Sequence, residues 1–164
     1  MRASTHRRFG RLRKVLFGGA LLAALQVTFA ALTVTENIAP SLGTLLGGIT
    51  DRNFILNTDA TVSGTNAADY LFGAVAGKLT VKQTGGAASA NILADNFTQT
   101  GGVTIIGVPC KWHTDTATTC DTAGIDITLQ GSRTLLVGVD LRTTQSHSGG
   151  DSPTATYDIT VTLL

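Results

Sequence analysis

The chain has 164 residues, with twelve Lys plus Arg, eleven Asp plus Glu and a formal charge of +1. Six of the twelve basic residues lie between Arg2 and Lys14, a stretch with no acid. From residue 31 onward six basic residues face eleven acidic ones, a formal charge of −5, and that excludes the basic footprint of a nucleic-acid-binding domain.

Residues 1–30 read as a cleaved helical signal peptide. The basic segment is followed by Val15 to Ala30, apolar or small except for Gln26 and Thr28. Thr28-Phe29-Ala30 then offers small residues at the two positions a signal peptidase reads. The apolar run falls short of the roughly 20 residues a spanning helix needs, so no stable membrane span is expected after cleavage. Cleavage after Ala30 is favoured, because cleavage after Ala31 puts bulky Phe29 at the third position back. Residues 31–164 are expected to form a single β-sandwich domain, long enough for one core.

Leu32, Val34 and Ile38 alternate with Thr33, Thr35 and Asn37, which predicts a first strand of edge character, broken by Glu36 and ended by Pro40. Ser41 to Gly48 is a short strand with a bulge or a close-packed loop. Phe54-Ile55-Leu56 is a compact buried strand, and 57–68 is turn-rich. Tyr70-Leu71-Phe72-Gly73 is apolar but interrupted by glycine. Lys78 to Lys82 alternates with charges outward, as a strand with one wet face does. Asn91 to Phe97 is expected to pair only weakly. Val103 to Val108 is a strand that Pro109 stops, and Ile125 to Leu129 is half exposed. The C-terminal end carries the clearest alternation. Leu135, Val137, Val139 and Leu141 share one face, and Tyr157, Ile159, Val161 and Leu163 share another. An antiparallel pair joined by the polar loop 145–152 fits both runs. Eight or nine strands with turn signals between them predict an all-β antiparallel sandwich.

The only cysteines are Cys110 and Cys120. An exported chain meets an oxidising compartment, so the two are expected to pair around the loop Lys111 to Thr119. The other reading is a metal site from Cys110, His113 and Cys120. Zinc favours tighter Cys spacing and a fourth ligand, so neither a metal nor a cofactor is expected. Trp112 and His113 sit inside the ring, either as a presented contact surface or, for Trp112, packed under its own loop. His147, in the second polar loop, is the other candidate contact residue.

No G-x-S-x-G turn, P-loop, dinucleotide fingerprint or C-x-x-C occurs, and neither mature-region histidine has a fixed relation to a serine or an acid, so no catalytic residue is assigned and the chain is not read as an enzyme. Leu42-Gly43-Thr44, Gly47-Gly48, Gly73 to Gly77, Val137-Gly138-Val139, Gly149-Gly150 and Tyr157-x-Ile159-x-Val161 together give a pattern that resembles a family of small secreted bacterial β-rich proteins of unknown function. That family is pilin-like and spore-coat-U-like in style. The resemblance implies secretion to the periplasm or cell surface, an immunoglobulin- or pilin-like sandwich, and a structural role such as a fimbrial or coat subunit. Its partners would be further copies of itself or other surface subunits. Leu32, Val34 and Ile38 are then either the face of a strand donated to a neighbour or the first strand of the chain's own sheet. A secreted carbohydrate- or surface-ligand-binding module, acting through Trp112 and the 145–152 loop, is the alternative function. N-terminal sequencing of the exported protein is expected to start at Ala31; a product that keeps residues 1–30 would overturn the reading of that segment.

Overall fold

The computed structural model describes residues 31–45, 50–65, 67–146 and 154–164. The signal peptide read at 1–30, Gly47-Gly48, and His147 with Gly149-Gly150 lie outside the described residues. Among the described residues no helix is long and apolar enough to cross a membrane.

The fold is all-β and antiparallel. In chain order the strands are β1 (Ala31–Ile38), β2 (Thr44–Leu45), β3 (Arg52–Leu56), β4 (Val62–Ser63), β5 (Tyr70–Phe72), β6 (Gly77–Thr84) and β7 (Ala88–Gln99). They continue with β8 (Val103–Gly107), β9 (Pro109–Trp112), β10 (Thr118–Thr119), β11 (Ile125–Leu129), β12 (Ser132–Val137), β13 (Val139–Thr143) and β14 (Ala155–Leu163). A single 3-10 turn, Ala67–Asp69, precedes β5.

One layer is the sheet β1-β6-β12-β9-β10, and the sheet β11-β7-β14 faces it. Period-two burial makes this possible. In β6, Gly77, Leu79, Val81 and Gln83 turn inward while Lys78 and Lys82 stay wet. In β7, Ala90, Ile92 and Ala94 are wholly buried, and in β11 Ile127 and Leu129 are buried. With Leu135 and Val137 of β12 they form one core between the layers. Burial of such side chains contributes about 1.5–3 kcal/mol each for the larger ones.

A further sheet, β4-β3-β13-β8, prolongs the first layer. Only Val108 separates β8 from β9, and only Gly138 separates β12 from β13, so two neighbouring strands pass together from one sheet into the other. Gly138 N–H donates to Pro109 O at 2.7 Å and keeps the ladder closed across the bend. Gly138 is buried beneath β3. A Cβ built there would collide with the backbone carbonyl of Leu56, which cannot swing aside. The Tyr157 hydroxyl donates to Gly138 O at 2.8 Å, pinning the second layer to the same point. Burial holds the Tyr157 phenol well above the ordinary tyrosine range, and the Glu36 carboxylate pushes it the same way. Above about pH 10, therefore, ionisation of this group works against the fold.

Three expectations are revised. The two C-terminal runs are not partners: β12 lies between β6 and β9, whereas β14 pairs with β7. Their matching alternation reflects a shared core rather than a shared ladder. β8 does end before Pro109, at Gly107, but Pro109 also opens a new strand, β9, as its first residue, where a missing N–H is tolerated. The segment expected to pair weakly, 91–97, lies inside the longest strand and at the centre of its sheet. Its polar side chains are satisfied across the ladder. Asn91 Nδ2 donates to Asp126 Oδ1 at 2.8 Å, and Asn96 Nδ2 donates to Asp158 Oδ2 at 3.0 Å.

Gly138→Ala is expected to lower unfolding stability by about 3 kcal/mol or more, because rigid backbone meets the added methyl. Urea denaturation checks this; a loss well under 1 kcal/mol would mean the crossing is looser than described.

Candidate functional site

The sequence placed contact residues in the disulfide loop. Cys110 and Cys120 are bonded, with Cα atoms 5.9 Å apart, and both are fully buried. Cys120 N–H donates to Val108 O at 3.0 Å, and Cys120 O accepts from Ala94 N–H at 2.6 Å. The bridge thus closes β9 onto the end of β10 and touches β7 of the opposite layer. For a ring this small, chain entropy predicts a contribution of about 3 kcal/mol at most.

Trp112 is 5% exposed and belongs to the main core. It sits on β9 opposite Leu135 and points inward with Cys110. It is packed into the core rather than presented as a surface. His113 turns outward at φ +48°, in the left-handed region, with its N–H donated to Thr134 O at 2.8 Å. Among the described residues no group of three or more His, Cys, Asp or Glu is placed to hold a metal ion.

The distinctive surface lies at the other side of the sandwich, where β1 and β14 are the outermost strands of the two layers. Backbone parity shows which of their groups have no strand partner among the described residues. Gln83 N–H donates to Gly131 O, so odd residues of β6 serve β12 and even residues serve β1. Thr33 and Thr35 oppose Lys82 and Thr80, which leaves the N–H and C=O of Leu32, Val34 and Glu36 on the outer edge. Leu164 N–H donates to Ser89 O at 2.9 Å, so Thr160 and Thr162 serve β7. Ile159, Val161 and Leu163 then turn their backbone groups to the outer edge.

The side chains beside these two edges are apolar and only partly covered. Leu32, Tyr157, Ile159 and Val161 pack against the core as half-buried residues. Val34, opposite buried Val81, remains 39% exposed. Phe97 stands next to Tyr157, with ring centroids 6.4 Å apart. Leu32 of β1 and Tyr157, Ile159 and Val161 of β14 thus border the same core.

The predicted face of Leu32, Val34 and Ile38 is divided. Opposed residues of an antiparallel pair share a face. Leu32 and Val34 oppose Gln83 and Val81 on the inner face, but the register shifts between Glu36 and Ile38. Ile38 therefore opposes Lys78 on the outer face, at 44% exposure. In this structure β1 is the first strand of the chain's own sheet. The extra residue at Asn37 is what alternation alone could not reveal.

No protein-family model matches the chain, and no curated protein or solved structure matches it.

Trp112→Ala is expected to cost about 3–5 kcal/mol, as for a large core aromatic. A thermal melt that stays put after this substitution would return Trp112 to the surface.

Proposed function

We propose that the protein is an exported, non-enzymatic structural or cell-surface protein, a coat- or pilus-type subunit that assembles through the open side of its sandwich. The observation that carries this reading is the pair of strand edges, β1 and β14, each lined by half-buried apolar side chains of the same core. A strand edge recognises another strand through main-chain hydrogen bonds, and flanking apolar side chains give the contact its register. The buried Cys110–Cys120 bridge supports an oxidising destination, in the periplasm or outside the cell. The resemblance to pilin-like and coat-like secreted proteins belongs to the same reading. The binding-module alternative is weaker, because its aromatic platform, Trp112, is in the core.

Cell fractionation and immuno-electron microscopy on cells expressing the full chain test this. The expected result is label on the outer surface or in the envelope fraction, in assemblies larger than one chain. Protein confined to the cytosol, or exported only as a free monomer, would overturn the reading.

A further inference from the structure

The two open edges differ in how well they are protected. Natural sheets blunt an edge with bulges and inward-pointing charges. β1 has both: the register shift after Glu36, and Glu36 itself on the inner face opposite Leu79. β14 has neither. Its inner face is Tyr157, Ile159, Val161 and Leu163, without a charge. The irregularity opposite Tyr157 falls in β7, where Asn96 and Phe97 lie between the partners of Asp158 and Thr156 and Asn96 takes φ +51°. β14 therefore carries no extra residue of its own, and among the described residues no strand pairs with the outward N–H and C=O groups of Ile159, Val161 and Leu163.

From this we infer that β14 pairs antiparallel with β14 of a second copy of this chain, about a two-fold axis at Thr160. The inference names the occupant of the edge on which the proposed function rests. An isologous contact requires a strand complementary to its own reversal, and the segment Tyr157 to Leu163 meets that requirement. Centred on Thr160, Ile159 faces Val161 of the second copy and Tyr157 faces its Leu163, so apolar meets apolar on the inner face. The Ile159–Val161 pairs join residues whose backbone groups face the outer edge, so the ladder closes with hydrogen bonds on both sides of the axis. On the outer face Thr160 meets Thr160, and Asp158 meets Thr162.

Charge disfavours the registers whose axis lies N-terminal to Thr160. Asp158 is the only ionisable residue on the outer face of β14. With the axis at Thr160 the two copies of Asp158 lie four residues apart along the strands, roughly 13 Å. An axis at Ile159 would bring them onto a diagonal, roughly 7–8 Å apart. An axis at Asp158 would set them directly opposite. The result joins two three-stranded sheets into one of six strands and covers Val161 and Leu163 with Ile159 and Tyr157 of the second copy.

The test uses protein recovered after expression of the full 164-residue chain. Sedimentation equilibrium is expected to show a concentration-dependent dimer. Thr160→Lys places like charges against each other at the axis, while within one copy the new ammonium faces Asp95, which already accepts from Thr160. It is expected to raise the dimer dissociation constant roughly fivefold or more, with the monomer's melt preserved. Thr160→Cys puts the two sulfurs at a non-hydrogen-bonded pair, whose Cα spacing suits a disulfide, and is expected to give a cross-linked dimer under mild oxidation. A monomer at every concentration, or a dimer indifferent to Thr160→Lys that fails to cross-link through Thr160→Cys, would overturn the inference. Surface assemblies larger than one chain that persist unchanged in the Thr160→Lys variant would sink this pairing alone, whereas a cytosolic dimer would sink the functional reading alone.

Discussion

The fold depends on the crossing at Gly138. There β12 leaves the main sheet, passes beneath the Leu56 carbonyl and becomes β13 of the adjoining sheet. Only a residue without a side chain fits under that carbonyl. The neighbouring β8–β9 strand makes the same passage at Val108, and the Gly138–Pro109 hydrogen bond keeps the two in step. Because Tyr157 of the opposite layer donates to Gly138 O, this crossing also sets how the layers are stacked. A two-layer sandwich whose first layer bends here can wrap one core without a helix.

The disulfide and Trp112 act on the same end of that core. β10 is only two residues long and adds few ladder bonds of its own. The Cys110–Cys120 bridge holds it, and both cysteines are buried in the core that β7 shares. Beyond Trp112 the loop between the cysteines is exposed, but the bridge itself is a buried tie within one layer, from β9 to the end of β10. The surface polar groups add less. Arg142 and Asp51 pair at 2.9 Å, but both are exposed, and such pairs contribute about 0–1 kcal/mol.

The opposite side of the sandwich is built differently. No described strand pairs with the outer edge of β1 or of β14. An edge strand is stable within its own sheet and still offers half its backbone groups to a partner. A protein that closes one side with a covalent bond and leaves the other side open has a natural direction for assembly. The contrast between a blunted β1 and a plain β14 makes the second edge the more receptive one.

Much of this was written in local pattern. Alternation at Lys78 to Lys82, Ile125 to Leu129 and Tyr157 to Leu163 reports a half-buried pleat, and burial follows it residue by residue. Cysteine count and basic-then-apolar order at the start were equally local, and they led to the bonded pair that is observed. Strand partnership was not local. β12 and β14 carry the same alternation and belong to different sheets, because a period of two states which face is buried but not which strand lies alongside. β7 was underestimated because Asn91 and Asn96 weaken a strand in isolation, and their partners Asp126 and Asp158 lie more than thirty residues away. The split of the Leu32–Val34–Ile38 face came from one extra residue in a register with β6. Such quantities exist only between distant segments, so folding in three dimensions decided them, and with them the open edge to which the function is assigned.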